Sequence, residues 1–577
     1  MDPALRELVA AGDADEWIEA ILRVEPEAEA EVPHIRTMAR FTDIRTVRLK
    51  RKHIEAVWSH PATASLKAAR VLQFEDPIHR QYRPDNPGQE RVYSSPLPRI
   101  GRSGKGVVVG VVDWGFDFGS EAFKQRSGTS RILALWDQRG GRHELSPRFG
   151  YGRVLDQENL NAALQTDRPY EAVEYHPGDA DTGIGAHGTH VADLAAGTRR
   201  DSLGGLASEA DLVFVHLASH PLSGLANLGD SVRLLEAIQF IAETAGDRPF
   251  VINLSVGRHA GPHTGLSPVE QAFDRFLEQA PGRLIVQSAG NYFKSRTHTH
   301  GRVAPGQTVD LQWQINPGDR SPNETELWFS DRDRFIITVY PPGSSEGFTV
   351  RLGESRGLYL GNGAEIGRLY HRAFDPNTPD HHFVAYLNTS APSGRWRLQI
   401  EGELVEDGRF HAWIERDGSG RRQSRFIPSQ VTHESTIGSI CNGFLPISVG
   451  AASDTAFGLV PAPFASAGPT RDGRQKPEVS AQGMRVTGAR STPRWSARPK
   501  QGVTRMSGAS QASPRVAGLA AALMSGQDEP TDIHATRRLV MSAMRPLSNA
   551  EARDIDRLGS GFADPAYAAD LSRHLDA

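Results

Sequence analysis

Residues Gly106 to Asp113 read Gly-Val-Val-Val-Gly-Val-Val-Asp, an apolar run that ends in a carboxylate. No residue before Asp113 in this run carries a polar side chain, so it predicts a strand buried on both faces of a sheet. Sheets of this kind bind their ligands beyond the carboxyl ends of the strands, which is where Asp113 would lie. The stretch therefore predicts an α/β fold with an acidic side chain at its functional edge.

Two segments rich in small residues follow, and each is typical of the start of a helix. His187 opens the segment His187-Gly-Thr-His-Val-Ala192. Ser510 lies in Gly508-Ala-Ser-Gln-Ala-Ser-Pro-Arg-Val-Ala-Gly518. Small side chains around Ser510 would let the helix start approach a bound chain closely. Pro514 is expected in the first turn, where a missing N–H costs nothing.

These residue types fit nucleophilic catalysis. A serine hydroxyl is a weak nucleophile at neutral pH and needs a base within hydrogen-bond reach. An imidazole, whose ordinary pKa is about 6.5, can accept that proton, and a carboxylate can fix its tautomer. Asp113, His187 and Ser510 are therefore the predicted catalytic residues. Each alone has an ordinary structural explanation as a cap, turn or surface residue.

The order Asp, His, Ser, with Ala289-Gly-Asn291 between the second and third segments, resembles that of the subtilisin-like serine peptidases, the subtilases. The resemblance implies a serine endopeptidase that works through an acyl-enzyme. It also implies that Asn291 helps to bind the oxyanion, together with a backbone N–H at the helix start of Ser510. Two departures are Ala509, where the family usually has Thr, and Arg515, where it often has His.

The same resemblance implies a substrate-binding segment. Ser255 and Gly257, in Asn253-Leu-Ser-Val-Gly257, are similar to the family segment that pairs with substrate as an added strand. Gly290 is the third predicted substrate-binding residue. Two other functions stay open: a proteolytically silent subtilisin-fold binding protein, and a transpeptidase that passes the acyl group to an amine. Retention of all four catalytic-site residues argues against the silent protein.

Composition limits the partners. The chain has 577 residues, of which 38% are hydrophobic, and two to four domains are expected. A net charge of -4 argues against a nucleic-acid partner. No apolar run has membrane-spanning length, and the basic start of a signal peptide is absent, so a cytoplasmic enzyme is expected. The predicted partner is a polypeptide substrate, and the sequence permits a protein regulator. The single cysteine, Cys441, excludes an internal disulfide.

The first 75 residues form a separate α+β block. Strands are expected over 35–41, 44–49 and 66–74, with a helix over 50–59. This order is similar to that of the inhibitory propeptides of subtilases, although their usual first helix has little room before residue 35. A small docking module without an inhibitory role fits the pattern equally. The proline-rich residues 76–103 are expected to form a linker.

Residues 104–300 alternate between strands and helices, which predicts a doubly wound parallel sheet. Expected strands are 132–136, 211–217, 250–255 and 284–288, and expected helices are 231–244 and 268–279.

Between 301 and 428 the apolar period becomes two, as in Val309, Leu311, Trp313 and Ile315, which predicts an inserted β-sandwich or jelly roll. The α/β pattern resumes over 429–577, with a strand at 445–450 and helices at 510–524 and 532–543.

No metal site is expected. His298, His300, His381 and His382 lack convergent ligand spacing, so they are interpreted as surface histidines. No cofactor is required by the predicted chemistry. Calcium is common among subtilases, but no set of calcium ligands is legible in this sequence.

Overall fold

The computed structural model describes residues 1–10, 12–26, 31–69, 73–74, 100–140, 148–200, 203–218, 231–417 and 423–575. Most of the predicted linker, residues 76–99, lies outside the described residues. Among the helices described, none is long and apolar enough to cross a membrane.

The N-terminal block is a four-stranded antiparallel sheet covered by two helices. Its elements are α1 (Pro3–Ala10), β1 (Trp17–Val24), β2 (Ile35–Phe41), β3 (Ile44–Lys50), α2 (Ile54–Trp58) and β4 (Thr63–Ala68), followed by β5 (Gln73–Phe74). The sheet order is β2-β3-β1-β4. Leu5, Ile18, Leu22 and Leu49 belong to its own apolar core.

Two expectations for this block were wrong. A strand and a helix, β1 and α1, precede Ile35, where the sequence pattern predicted none. Strand β1 was missed because Glu19 interrupts its apolar side chains, and Glu19 is buried against Arg48. The expected strand 66–74 is also two separate strands, β4 and β5, which belong to different sheets.

The first α/β part supplies most of a large central sheet. Its elements are β6 (Val108–Asp113), β7 (Ile132–Asp137), β8 (Arg153–Asp156), α3 (Gln157–Leu164), α4 (Pro169–Ala172), α5 (His187–Ala196), β9 (Asp211–His216), α6 (Ser231–Ala245), β10 (Phe250–Leu254), β11 (Val256–Gly257), α7 (Pro268–Glu278) and β12 (Arg283–Ser288). All strands and helices predicted here are present, with ends that differ by at most one residue, except that the strand predicted from Gly106 begins at Val108.

The inserted segment folds into two antiparallel sheets that enclose one apolar core. Its strands are β13 (His298–Arg302), β14 (Thr308–Ile315), β15 (Asn323–Ser330), β16 (Arg334–Tyr340), β17 (Phe348–Val350), β18 (Ser355–Tyr359), β19 (Glu365–Arg372), β20 (Asp380–Leu387), β21 (Gly394–Leu404), β22 (Arg409–Ile414) and β23 (Arg425–Phe426). The sheet orders are β13-β22-β15-β20-β19-β18 and β17-β16-β21-β14-β23. Its designation as a jelly roll stays a prediction.

The second α/β part completes the central sheet. Its elements are β24 (Ile447–Thr455), β25 (Gly458–Pro461), β26 (Val479–Gln482), β27 (Val486–Ala489), β28 (Val503–Met506), α8 (Ala509–Met524), α9 (Ile533–Ser542), β29 (Arg545–Pro546), α10 (Ile555–Leu558), β30 (Gly561–Phe562) and α11 (Pro565–Leu575). The strand expected over 445–450 begins at Ile447 and continues to Thr455.

The central sheet runs in the order β29-β30-β26-β24-β12-β10-β6-β9-β7-β8, and β25 pairs with β24. Its inner strands, from β26 to β7, are parallel. Asp113 ends β6 near the middle of this sheet. Strand β6 is buried throughout, as its unbroken apolar run predicts.

Candidate active site

Asp113 and His187 form a buried hydrogen-bonded pair. Nδ1 of His187 lies 2.7 Å from Oδ1 and 2.9 Å from Oδ2 of Asp113. Oδ1 of Asp113 also accepts a hydrogen bond from the backbone N–H of Trp114 at 2.7 Å. Because a carboxylate faces Nδ1, the imidazole is held with its hydrogen on that nitrogen, and Nε2 is available as a base.

The start of α5 is tied to the end of β6, which explains why this pair forms. The N–H groups of Gly188 and Thr189 donate to the carbonyls of Trp114 and Gly115, both at 2.9 Å. A Cβ on Gly188 would lie 2.9 Å from the ring of Phe116, so only glycine permits this approach. The small residues of the His187 segment therefore set the position of the imidazole.

Helix α8 crosses α5 closely and carries Ser510 in its first turn. A Cβ on Gly518 would lie 2.2 Å from the carbonyl oxygen of Ala195, so the two backbones are almost in contact. Ser510 is buried, with 1% of its surface exposed. Among the described residues its hydroxyl has no hydrogen-bond partner. A buried polar group left unpaired in this way is costly, and its position at a helix start suits a reacting group.

The prediction that Pro514 lies in the first turn of the helix was wrong. The helix begins at Ala509, so Pro514 is inside it. A proline has no N–H to donate to the carbonyl four residues earlier, which here belongs to Ser510. The hydroxyl of Ser255 takes that place and donates to the Ser510 carbonyl at 3.4 Å. The nucleophile candidate is thereby linked to the predicted substrate-binding segment.

Asn291 follows β12 and lies beside the N-terminal end of α8. Its Oδ1 accepts a hydrogen bond from the backbone N–H of Ala509 at 2.9 Å. Its Nδ2 is buried and has no partner among the described residues. This orientation leaves an amide donor unpaired beside the helix N-terminus, an arrangement that could bind a developing negative charge.

Gly290 supports the turn that presents Asn291. Its φ is +114°, and a Cβ there would lie 2.7 Å from Oγ of Ser466. Its backbone carbonyl accepts a hydrogen bond from Ser466 N–H at 3.0 Å. Gly290 is therefore needed for the turn, whatever it contributes to substrate binding.

The predicted substrate-binding segment is paired with the chain's own N-terminal region. Val256 and Gly257 of β11 pair antiparallel with Phe74 and Gln73 of β5. Ser255, the residue before β11, accepts a hydrogen bond from Asn253 Nδ2 at 2.9 Å and approaches Ser513 Oγ at 3.2 Å. An extended segment of the chain thus occupies the strand edge that leads toward Ser510.

Two nearby polar residues have structural roles. Nε2 of His190 lies 3.1 Å from the carbonyl of Val486. Asp117 is buried and accepts hydrogen bonds from Tyr170, Gly119 and Thr492, which fixes the loop after β6 against the β27–β28 hairpin. Burial raises the pKa of Asp117, and these hydrogen bonds oppose that shift.

One residue of the site was missed in the sequence. Gln511 is fully buried, and its Nε2 lies 3.5 Å from Nε2 of His187. A signal was present, because Gln511 is the one long side chain between Gly508 and Pro514 in a segment otherwise composed of small residues.

The interpretation of His298, His300, His381 and His382 as surface histidines was wrong for three of them. His298, His381 and His382 are buried, and only His300 is substantially exposed. His298 stacks with Trp413 and His411, and His382 stacks on Trp328. Burial holds the pKa of His298 well below its ordinary value, so it is neutral. In the part of the chain that the structure describes, no group of His, Cys, Asp and Glu is arranged to hold a metal ion.

Comparison with known proteins identifies the family. The sequence pattern of the Subtilase family, Peptidase S8, matches residues 104–312 and 420–561, which together make up more than half of the chain. The chain belongs to the subtilase family. Family membership supports serine peptidase activity.

The chain is also similar to a curated protein and to a solved structure. Subtilisin-like protease 3 of Pseudogymnoascus destructans is 30% identical over 173 residues, which span 29% of this chain and 36% of that relative. The solved structure of the Clostridium perfringens CspB protease is 23% identical, has a TM-score of 0.67, and covers 83% of this chain and 98% of its own. The structural match confirms the subtilisin-like fold.

Proposed function

We propose that this chain is a serine endopeptidase in which Ser510 is the nucleophile, His187 the base and Asp113 the group that orients the base. The observation that carries the proposal is the 2.7 Å contact between Asp113 and Nδ1 of His187, formed where α5 meets α8, the helix that carries Ser510 in its first turn. An unpaired amide of Asn291 beside the same helix start supports the assignment.

In this mechanism the Ser510 hydroxyl attacks the carbonyl carbon of the peptide bond and its proton passes to Nε2 of His187. The Asn291 amide and the N–H groups at the start of α8 stabilise the oxyanion. His187 then gives the proton to the leaving amine, and an acyl-enzyme remains on Ser510. Water, activated by the same imidazole, releases the acyl group as a carboxylic acid.

A fluorophosphonate probe tests the nucleophile. It should label Ser510, and Ser510→Ala should lose both labelling and peptide cleavage. Ser507→Ala is the matched control. Ser507 precedes the helix, and its hydroxyl accepts a hydrogen bond from Arg485 N–H. Labelling at Ser507 or Ser513, found by peptide mapping, would contradict the assignment. Mass spectrometry of products with and without an added amine separates hydrolysis from transpeptidation.

The N-terminal block is proposed to restrain this activity. Strand β5 pairs with β11, where an extended substrate would have to pair. The block is also docked through a buried ion pair, in which Arg48 donates to both carboxylate oxygens of Glu236 on α6 at 2.9 and 3.0 Å. A covalently attached competitor acts at high effective concentration, so a short pairing is sufficient to compete with substrate.

The insertion contacts the block as well. Lys67 forms a buried ion pair with Asp375, and Asn377 Nδ2 donates to Ser65 Oγ at 3.1 Å. Lys67, Asp375 and Arg258, which follows β11, also line one cavity together. The block is therefore held between the peptidase part and the insertion, beside the cleft, which supports a stable lid as much as a cleavable inhibitor.

Intact-mass analysis distinguishes the two forms of restraint. If the block is a cleavable inhibitor, the active chain should be cut after Phe74 while Ser510→Ala stays intact. If it is a stable lid, both chains stay intact, and cutting at a recognition sequence inserted near residue 90 should raise peptidase activity upon dilution. Unchanged activity after complete cutting and separation of the block would show that it is a docking or folding module.

A further inference from the structure

Gln511 lies where the base of the proposed triad must act. Its Nε2 is 3.5 Å from Nε2 of His187, and Nδ1 of the same imidazole is already engaged by Asp113. The 3.5 Å separation is longer than that of an ordinary N–H hydrogen bond, about 2.7–3.2 Å, so the contact is weak. A neutral imidazole with its hydrogen on Nδ1 has one acceptor site, the lone pair on Nε2. The Gln511 amide and the Ser510 hydroxyl are thus two donors for a single acceptor.

The other end of the amide reaches toward the oxyanion side of the site. A Cβ added to Gly508 would lie 2.8 Å from Oε1 of Gln511 and 3.3 Å from Nδ2 of Asn291. Oε1 is buried without a hydrogen-bond partner among the described residues, and so are Ser510 Oγ and Asn291 Nδ2. A buried amide oxygen left unpaired costs stability, and this one lies beside two other unpaired groups of the candidate site.

We propose that Gln511 is a positioning residue that donates to Nε2 of His187 in the substrate-free enzyme and releases that nitrogen to Ser510 when substrate enters. This inference rests on the proposed serine peptidase function. The amide keeps the imidazole neutral and turned toward α8, because a donor at Nε2 favours the form that has a lone pair there. It also delays activation of Ser510 until a bound chain displaces it.

The pH dependence of activity reports this contact because activity requires neutral His187. Asp113 on β6 is its direct partner and is the same in every variant below. The other titratable or charged groups on the elements packed around His187 are Asp117 after β6, His190 and Asp193 on α5, His216 on β9 and Arg515 on α8. None of them is changed by substitution of Gln511.

The test compares Gln511→Met, Gln511→Glu and Gln138→Met in the full chain. Gln138 is a matched control, since it is also fully buried, donates one hydrogen bond, to Arg233 O at 3.0 Å, and has an unpaired Oε1. Removing the donor should move the acid limb of the kcat/KM profile to higher pH, and the carboxylate of Gln511→Glu should move it further. Gln511→Met should also react severalfold faster with a fluorophosphonate at pH 8, where His187 is neutral.

The outcomes are distinct. An acid limb that stays in place in both Gln511 variants, or that moves equally in Gln138→Met, overturns the inference and leaves the proposed function standing. Cleavage that survives Ser510→Ala overturns the proposed function itself. If Gln511→Met does not fold, the isosteric Gln511→Glu still decides the direction of the shift, with circular dichroism as the check on folding.

Discussion

The cleft around the proposed catalytic residues and the interface of the N-terminal block both bury polar groups, but they differ in how those groups are paired. At the interface, Arg48 binds Glu236 and lies 3.1 Å from Glu19, while Tyr151 donates to Glu236 at 2.8 Å. In the cleft, Ser510 Oγ and Asn291 Nδ2 are buried and unpaired among the described residues.

The difference separates contacts that hold a structure from groups that await a ligand. A buried charge is tolerated when opposite charges and hydrogen bonds surround it, as at Glu236. A buried donor without an acceptor costs stability, and at a binding site a ligand can supply the missing partner. In the proposed mechanism, the unpaired Asn291 amide binds the oxyanion and the unpaired Ser510 hydroxyl attacks the reacting carbonyl. Substitutions in the cleft should therefore lower peptidase activity, whereas substitutions at the interface should mainly change local stability.

The largest effect is expected for Asp113→Asn, which tests the cleft. Loss of such a carboxylate lowers turnover by about 10⁴-fold, because the imidazole loses its tautomer and orientation. Asp137→Asn is the matched control, since Asp137 ends strand β7 and pairs with Arg139 rather than with His187. Steady-state kinetics with a peptide substrate measure both. Equal losses in the two variants would mean that the acidic residues only support the sheet.

Arg48→Met should release the block without altering the cleft. Removing one partner of a buried ion pair costs about 3–5 kcal/mol, here because Glu236 would remain buried without its cation and Glu19 would keep only Arg233 among the described residues. Hydrogen exchange of the β3 amides should show easier local opening, and peptidase activity should rise if the block restrains the enzyme.

The control for Arg48→Met is Arg498→Met, which breaks an exposed ion pair with Asp167 and should change stability by less than about 1 kcal/mol. Faster exchange without any gain in activity would separate docking from restraint.

Asn291→Leu tests the cleft again, and the expected loss of turnover is smaller than that of Asp113→Asn. Loss of one oxyanion donor costs about 10² to 10³ in kcat, while KM changes little. The leucine also removes the acceptor for Ala509 N–H, so circular dichroism must show that α8 is intact. A rise in KM at constant kcat would mean that Asn291 binds substrate instead.

The smallest effect concerns pH. Burial raises the pKa of Glu270, at the start of α7, to about 7, although Ser267 and Asn442 donate hydrogen bonds to it. Between about pH 4.5 and 7 the unfolded chain has lost this proton and the folded chain has kept it, so stability falls as pH rises. The unfolding midpoint should therefore be lower at pH 7.5 than at pH 5, and Glu270→Gln should reduce the difference between the two midpoints. An unchanged difference would mean that other groups cause the pH dependence of stability.

The sequence predicted the central sheet well because local patterns encode it, and the same patterns place Asp113, His187 and Ser510 on the elements that meet in the candidate site. The apolar run that ends at Asp113 favours a strand buried on both faces, and β6 is such a strand. Its last residue lies at the carboxyl end of the strand, the edge where sheets of this kind bind their ligands. The glycines that allow α5 and α8 to approach their neighbours, Gly188 and Gly518, lie within the same short segments as His187 and Ser510.

Long-range contacts could not be predicted in the same way. Glu19 is a charged residue in a strand, and it is buried only because Arg48 and Arg233 meet it from other elements. The expected strand 66–74 divides because Gln73 and Phe74 pair with β11, a partner far away in sequence. His298 and His382 are buried by aromatic neighbours that a spacing rule does not reveal. Gln511 matters only because α8 brings it to His187.

The pairing of β5 with β11 also has a consequence for folding and solubility. A peptidase that recognises extended chains must keep a strand edge open, and an open edge can pair with any other exposed strand, including one from a second copy. While β5 covers β11, that edge is occupied by a segment of the same chain. Among the residues that the structure describes, two residues of each strand pair. A form of the chain that has lost the block would expose this edge to pairing with another strand.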